Sequence, residues 1–218
     1  EQGPIMDTEG VKIGAVENLQ GIHWQRVTIE GLANHAGTTP TNLRVDAGLA
    51  AAKINLFLRE MVQKSGGVAT VGCIEHEPNA INVIPSRAVM TVDLRNPDKG
   101  KLDADEKSLA AYFKELEETD HVKISSERLT EFDPVLFDEN IVQKIEAAAS
   151  ARGLNTRRMT SGAGQDAQMM ARICPTAMIF VPSIKGISHN PREYAPDADC
   201  VAGANVFLDV VSEMAGVR

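Results

Sequence analysis

The sequence lacks clustered positive charge, long apolar runs and paired cysteines, and each absence excludes a class of protein. Its 22 basic and 30 acidic side chains give a formal net charge of -8, and Lys and Arg never cluster beyond a pair. This pattern argues against nucleic acid or a membrane surface as a partner and leaves a small polar or charged ligand open. The longest apolar candidate, residues 176–181, is far shorter than the roughly 20 residues of a membrane span, so no membrane segment is expected.

What is present is the composition of a folded protein. The 218 residues, 43% hydrophobic and 24% charged, suit one large globular domain or two small ones. The cysteines Cys73, Cys174 and Cys200 are odd in number and show neither zinc-ribbon nor redox spacing, which predicts a reducing, cytoplasmic location. The chain opens with the letters EQGP, with neither an initiator Met nor a signal sequence, so we interpret it as a piece of a longer protein.

The first part of the chain alternates strands and helices in the order of a split βαβ domain. Apolar spacing and β-branched residues predict strands at 22–31, 68–77, 88–94 and 122–129, and helices at 42–64 and 105–118. The order strand, helix, strand, strand, helix, strand is the ferredoxin-like arrangement, with two helices on one face of an antiparallel sheet. We place this domain at residues 16–131.

Beyond residue 131 the pattern becomes α/β. Helices are predicted at 140–152 and 199–216, and strands at 155–159 and 176–181. This alternation predicts a mostly parallel sheet over residues 132–218. Two strands are too few for a sheet that is covered on both faces, so this region is expected to be half of a domain. Residues 1–15 are interpreted as the end of an earlier segment of the same domain.

Among the five histidines, context singles out His189. It follows the predicted buried strand 176–181, and ligands of open α/β sheets gather beyond the carboxyl ends of strands. A neutral imidazole is also a common metal ligand. A solvated or packed histidine is the alternative, and context alone leaves both interpretations open. His76 and His121 are interpreted as solvated.

Three further polar segments are candidates. The Gly-rich turn 161–166 precedes a predicted helix, where its amides could face an anion or simply cap that helix. The turn 34–40 contains His35, which is either functional or incidental to a helix cap. Segment 79–85 precedes a strand that ends at Arg95; an Asn amide suits an amide or ureido group, and an Arg fork suits a carboxylate. Each segment alone is also typical of an ordinary turn or strand end.

Taken together, six motifs resemble the metal-dependent amidase/hydantoinase/carbamoylase family, within the clan of M20-type metallopeptidases. In order they are EQGP at 1–4, NHAGTTP at 34–40, NVIP at 82–85, DLR at 93–95, SGAGQD at 161–166 and GISHNP at 186–191. The resemblance spans nearly the whole chain. It implies a ferredoxin-like lid and dimerisation domain joined to the C-terminal part of an α/β metallohydrolase domain, a fold of the α/β and α+β classes.

The resemblance also implies a role for each matching residue. His189 matches a metal ligand, and His35 matches a catalytic lid histidine that polarises the scissile carbonyl, or holds the oxyanion, in the partner subunit's site. Asn82 and Arg95 match residues that bind the amide and carboxylate ends of the substrate. The remaining implied substrate contacts are Gln2, His23, Gly162 and Gly164.

The activity that the resemblance implies is hydrolysis of the C–N bond of N-carbamoyl-L-amino acids or related ureido compounds by a homodimer. The implied cofactor is two divalent metal ions, zinc first, with manganese, cobalt or nickel as alternatives. Gln165 stands where the family usually has His, and the family's other metal ligands lie upstream of these motifs, so the chain alone is expected to be inactive. Two alternatives stay open: allantoate as the substrate, or a truncated, non-catalytic dimerisation or ligand-binding module. A ferredoxin-like regulatory domain fused to an unrelated tail leaves segment 186–191 unexplained.

Overall fold

The computed structural model describes residues 1–217, which form two compact units. One unit is Gly21–Asp133, and the other combines Glu1–Gln20 with the chain from Pro134 onward. The predicted lid, residues 16–131, starts five residues earlier (16 against 21) and ends two residues earlier (131 against 133) than the first unit.

The secondary structure comprises ten strands and six α-helices in the described residues. The strands are β1 (Ile13–Leu19), β2 (Gly21–Glu30), β3 (Asn34–His35), β4 (Val68–Glu77), β5 (Val83–Ile84), β6 (Arg87–Asn96), β7 (Lys123–Phe132), β8 (Val135–Leu136), β9 (Thr156–Ser161) and β10 (Met178–Phe180). The helices are α1 (Ile5–Glu9), α2 (Ala47–Ser65), α3 (Lys99–Thr119), α4 (Glu139–Ala151), α5 (Ala167–Met170) and α6 (Asp197–Met214), with 3-10 helices at Thr41–Leu43 and Ile184–Gly186.

The unit Gly21–Asp133 is an antiparallel sheet with two helices on one face. Its strand order is β4-β6-β2-β7, and every neighbouring pair is antiparallel. Every second residue of β6 is buried, as the period of a half-covered strand requires. Six of the core side chains that are at most 1% exposed are Ile54, Leu58, Met90, Leu94, Leu102 and Leu109. The ferredoxin-like prediction is confirmed.

Both helices of this unit begin where an aspartate caps them, and neither begins where the periodicity predicted. The Asp46 carboxylate accepts the N–H groups of Gly48 (2.9 Å) and Leu49 (3.0 Å), so α2 begins at Ala47. The prediction of one continuous helix from residue 42 was wrong, because extended backbone separates the 3-10 helix Thr41–Leu43 from α2. Asp98 likewise caps α3, which begins at Lys99, six residues before the predicted start at 105.

The other unit is built around β1. Strand β9 runs parallel to β1 along one edge, while β10 and then β8 pair antiparallel along the opposite edge. The prediction of a mostly parallel sheet was therefore wrong for these strands. Helices α4 and α6 cover one face, where Ile13 and Ala15 pack against Val142 and Val206. On the opposite face of β1, the cluster of buried apolar residues contains Met6, Val16, Leu19, Phe137 and Met159.

Two further expectations from composition can be compared with the structure. No helix in the described part of the chain combines the length and the apolar character that crossing a membrane requires. Cys73, Cys174 and Cys200 are all free and exposed.

A buried carboxyl on α3 makes the stability of the unit Gly21–Asp133 depend on pH. Asp105 is 6% exposed, and its carboxylate accepts a 2.7 Å hydrogen bond from the Ser65 hydroxyl. Burial raises the pKa of Asp105 above its usual range, although the hydrogen bond from Ser65 opposes the rise. The folded state therefore binds this proton more tightly than the unfolded chain does. The stability that protonated Asp105 contributes is lost as the pH rises through its folded-state pKa.

We expect Asp105→Asn to stabilise this unit at pH 7 by up to about 1 kcal/mol, because the amide keeps the shape and removes a buried charge. The gain should vanish below about pH 4, where the wild-type carboxyl is protonated as well. Urea unfolding followed by the fluorescence of Trp24, the one tryptophan, measures the change. Asp103→Asn is the control, because a hydrogen bond from Lys99 lowers the pKa of Asp103 and its removal should destabilise at pH 7. Equal gains in both variants would contradict this account of Asp105.

Candidate functional site

His189 lies in a loop of left-handed backbone that follows β10. Its own φ is 54°, and Lys185 and Gly186 have φ values of 58° and 61°. The ring is 84% exposed, and its Nε2 atom is 2.7 Å from the Glu1 Oε1 atom. The backbone N–H of His189 donates to the Glu193 carboxylate at 3.0 Å. The loop therefore presents the imidazole outward, with a carboxylate at its Nε2 edge.

Two contacts with the first residues of the chain hold this loop. The backbone N–H of Lys185 donates to the Asp7 Oδ2 atom at 2.8 Å. Gly186 packs so closely on Gly3 and Pro4 that a Cβ atom at its position would lie 2.1 Å from the Pro4 nitrogen. The absence of a side chain at Gly186 thus lets the EQGP segment lie beside the loop that contains His189.

The Glu1 carboxylate contacts two other predicted motifs, the Gly-rich turn and the loop that contains His189. Its Oε2 atom accepts from the Gln165 amide at 3.3 Å, while its Oε1 atom contacts His189. Gln2 is turned elsewhere, because its amide donates to the carbonyl oxygen of Val181. Sequence analysis missed Glu1 as a site residue; the available signal was an acidic side chain at the head of the EQGP motif.

Two hydrogen bonds fix the Gly-rich turn 161–166. The Ser161 hydroxyl donates to the Ala163 carbonyl at 2.9 Å, and the Gln20 amide donates to the Gly162 carbonyl at 3.1 Å. Gly164 is exposed. The helix that follows, α5, is only four residues long and lacks a side-chain cap, so it offers no N-terminal anion site.

The residues around His189 do not complete a metal site. His189 and Glu1 offer one imidazole and one carboxylate, whereas catalytic zinc sites use three protein ligands. Residues 1–217 contain no group of three or more His, Cys, Asp or Glu side chains placed to hold a metal ion. The role of His189 as a metal ligand therefore stays a prediction.

In the unit Gly21–Asp133, the structure brings His35 and Asn82 together. Strands β3 and β5 form a two-stranded antiparallel ribbon in which His35 is paired with Val83. The ribbon continues through a 3.0 Å hydrogen bond from the Ala36 N–H to the Asn82 carbonyl. We call residues 34–36 and 82–84 the His35–Asn82 ribbon.

The orientation of the His35 ring suits a hydrogen-bond donor. The Gly37 N–H donates to the Nδ1 atom of His35 at 3.0 Å, and the residue is exposed. An acceptor at Nδ1 leaves the proton of the neutral ring on Nε2. A neutral imidazole of this tautomer can donate from Nε2 to a carbonyl oxygen or to a developing oxyanion.

Arg95 lies at the opposite end of the sheet from this ribbon. Its guanidinium forms a bidentate pair with Asp93 on the same strand, with distances of 2.9 Å (Nε to Oδ1) and 2.7 Å (Nη2 to Oδ2). The ribbon follows the end of the sheet at which Glu30 is paired with Arg87. Arg95 is eight positions after Arg87 on the extended strand β6, a distance of about 26 Å. One copy of this unit does not bring Arg95 beside His35 and Asn82.

His23 is buried within the same unit. Its ring is 1% exposed, and Nδ1 lies 2.9 Å from the Glu106 Oε2 atom without the geometry of a hydrogen bond. The Nε2 atom is 3.7 Å from Glu131. This environment, between a carboxylate of α3 and one of β7, favours a packing role.

Comparison with known proteins identifies the family. The family model of Peptidase family M20/M25/M40 matches residues 1–213, so the chain belongs to this family. Two similar proteins are named amidohydrolases. An N-carbamoyl-L-amino-acid amidohydrolase of Rhizobium meliloti is 38% identical over 219 residues, which cover 100% of this chain and 53% of that protein. An allantoate amidohydrolase of Escherichia coli (strain K12) is 34% identical over 217 residues, covering 99% of this chain and 53% of that protein.

A solved structure supports the same assignment. The crystal structure of an amidase of the hydantoinase/carbamoylase family from Burkholderia multivorans matches with a TM-score of 0.93 and 38% identity, over 96% of this chain and 52% of that chain. The resemblance inferred from the six motifs is thereby confirmed. The chain spans about half the length of the curated relatives it matches.

Proposed function

We propose that the chain is part of an amidohydrolase that cleaves the C–N bond of N-carbamoyl-L-amino acids or related ureido compounds. The observation that carries the proposal is the His35–Asn82 ribbon, where His35, whose Nδ1 atom is already bonded, lies on one strand and Asn82 immediately precedes the strand paired with it. The Nε2 proton of His35 would stabilise the oxyanion that develops on the attacked carbonyl. The Asn82 amide, which can both donate and accept, suits the ureido group. The similarity to a relative named for this activity adds support.

In this proposal Arg95 binds the carboxylate of the substrate. Asp93 holds the Nε and Nη2 edge of the guanidinium and so orients the fork along β6. Gln2 and the turn at Gly162 and Gly164 are proposed as further substrate contacts. We leave out His23, because a ring that is 1% exposed cannot reach a substrate without local opening.

We further propose that His189 supplies one ligand to a pair of divalent ions, with zinc as the first candidate and manganese, cobalt or nickel as alternatives. The other ligands would come from sequence outside this chain, which spans about half of its relatives' length. Three free cysteines agree with a reducing, cytoplasmic setting.

A homodimer is proposed because one copy of the unit Gly21–Asp133 cannot place all of the proposed contacts on one small substrate. Arg95 and the His35–Asn82 ribbon lie at opposite ends of a sheet that is about 26 Å long. A second copy, related by two-fold symmetry, would supply the ribbon to the site that uses the Arg95 of the first.

Two alternative functions differ from this proposal, one in the substrate and one in the class of protein. Allantoate is a candidate substrate because an allantoate amidohydrolase is 34% identical along 99% of the chain. The other alternative is a truncated, non-catalytic dimerisation or ligand-binding module. Hydrolysis assays with N-carbamoyl-L-amino acids and allantoate distinguish the substrates, and metal content distinguishes the enzyme from the module.

The proposal is tested with two substitutions in a full-length protein that contains this chain. We expect His189→Ala to lose bound metal, and Arg95→Ala to retain metal while KM rises by roughly 10- to 100-fold, because a substrate carboxylate loses its partner. Metal analysis and steady-state kinetics measure both effects. His121→Asn, at an exposed histidine with a φ of 59°, is the control and should change neither. Unchanged metal content in His189→Ala would remove the proposed role of His189.

A further inference from the structure

Arg44 donates hydrogen bonds to two carbonyl groups of the turn that follows His35. Its Nε atom donates to the Thr39 carbonyl at 3.1 Å, and its Nη2 atom donates to the Ala36 carbonyl at 2.7 Å. The residue is half-buried and extended, with φ −86° and ψ 141°, between the 3-10 helix and α2. One rigid guanidinium fork therefore bridges the two ends of segment 36–39.

The bridged segment is the one that contacts the His35 ring. The N–H that donates to the Nδ1 atom of His35 belongs to Gly37, which lies between the two carbonyls that Arg44 holds. On the other side of the turn, the Thr39 hydroxyl donates to the His35 carbonyl at 2.8 Å, and Thr39 is 9% exposed. Arg44 and Thr39 thus fix the backbone on both sides of a glycine that would otherwise sample many conformations.

We propose that Arg44 is a positioning residue that fixes the tautomer and orientation of His35. By holding the carbonyls of Ala36 and Thr39, it keeps the Gly37 N–H aimed at Nδ1, so that the neutral ring carries its proton on Nε2. The consequence for catalysis rests on the proposed function of His35. The consequence for the tautomer does not, and it can be measured on this chain alone.

The spectroscopic test uses the 218-residue chain labelled with ¹⁵N-histidine. At neutral pH we expect the His35 resonance to show the Nε2–H tautomer, and His35→Gln identifies that resonance by its disappearance. In Arg44→Gln the resonance should move toward the average of the two tautomers. Arg44→Lys should behave in the same way, because an ammonium keeps the charge but not the planar fork. Arg59→Gln, at an exposed arginine on α2, should leave the spectrum unchanged.

Two spectroscopic results would overturn the positioning role. One is a wild-type His35 resonance in Arg44→Gln or Arg44→Lys while far-UV circular dichroism shows the fold retained. The other is a wild-type chain in which the Nδ1–H tautomer of His35 prevails. If Arg44→Gln does not fold, the decision rests on Arg44→Lys.

Kinetics in a full-length protein then separate this inference from the proposed function. We expect kcat of Arg44→Gln to fall by roughly 10- to 100-fold with KM near the wild-type value, because a misplaced donor weakens only the transition state. A raised KM with unchanged kcat would instead make Arg44 a direct substrate contact and would overturn the positioning role. A shifted tautomer with unchanged kinetics would uphold the action of Arg44 on His35 and refute the catalytic role of His35.

Discussion

Two nearly inactive variants of a full-length protein containing this chain, His35→Ala and Arg95→Ala, are expected to restore activity when their subunits are mixed. The reason is the separation of about 26 Å along β6 between Arg95 and the end of the sheet that the His35–Asn82 ribbon follows. If each substrate contacts Arg95 of one copy and the ribbon of the other, a mixed dimer contains one site in which both residues are intact.

The expected magnitudes are large. Loss of the His35 donor should lower kcat/KM by roughly 100- to 1000-fold, the range for removal of one oxyanion donor. Loss of Arg95 should lower it by roughly 10- to 100-fold. In a mixed dimer one of the two sites is intact, so the purified mixed dimer should reach about half of the wild-type activity. Co-expression of the two variants with different affinity tags, followed by kinetics on the doubly tagged dimer, measures the recovery.

The matched control pairs His35→Ala with Asn82→Ala. Both residues lie on the same ribbon of one copy, through the pairing of β3 with β5 and the bond from Ala36 to Asn82. Every site of that mixed dimer lacks one of the two residues, and activity should stay at the level of the parent variants. Recovery in this control, or none with Arg95→Ala, would show that the ribbon and Arg95 are not contributed by different copies.

The unit Gly21–Asp133 could be predicted from the sequence because its sheet has one buried and one open face. A strand of this kind alternates buried and half-exposed residues, as β6 does, and the period of two is visible in the sequence. The predicted starts of α2 and α3 differ from the structure because Asp46 and Asp98 cap these helices through their side chains, and apolar spacing does not reveal a cap.

The sheet of the other unit could not be predicted to the same degree because its central strand does not alternate. The first four residues of β1 are all buried, and Gly14 packs so closely that a Cβ atom there would lie 2.7 Å from the sulfur of Met159. Parallel or antiparallel pairing with β8, β9 and β10 depends on segments more than 110 residues away in sequence (Val135 against Leu19, for example). Local periodicity contains no information about such contacts.

The candidate site, too, could be predicted from the sequence only in part. The residue types His35, Asn82, Arg95 and His189 were identifiable from motifs, but their placement was not. The ribbon consists of two-residue strands with no measurable period, and the contact between Glu1 and His189 joins residues 188 positions apart. The Asp93 partner of Arg95 is local, and the spacing of two residues on one strand face made it foreseeable.

The second large effect is expected at Gly186. A Cβ atom at this position would lie 2.1 Å from the Pro4 nitrogen and 2.3 Å from the Gly3 carbonyl carbon, and both are backbone atoms that cannot rotate away. The φ of 61° adds the strain of left-handed backbone in a residue with a side chain. We expect Gly186→Ala to destabilise the unit that combines Glu1–Gln20 with the chain from Pro134 onward by about 3–5 kcal/mol. The reason is that the loop containing His189 must separate from the EQGP segment.

Gly153→Ala is the matched control, because Gly153 has a φ of 70° in the same unit and nothing within 4 Å of its Cβ position. That variant bears the backbone strain alone, about 1–2 kcal/mol, and the difference between the two variants measures the contact with Gly3 and Pro4. Urea unfolding followed by far-UV circular dichroism should show the loss, while the fluorescence of Trp24, which lies in the other unit, should keep its midpoint. Equal losses in both variants would mean that the loop containing His189 does not depend on the EQGP segment. A larger loss in Gly186→Ala, together with a changed His189 ¹⁵N resonance, would mean that the first four residues hold that histidine in place.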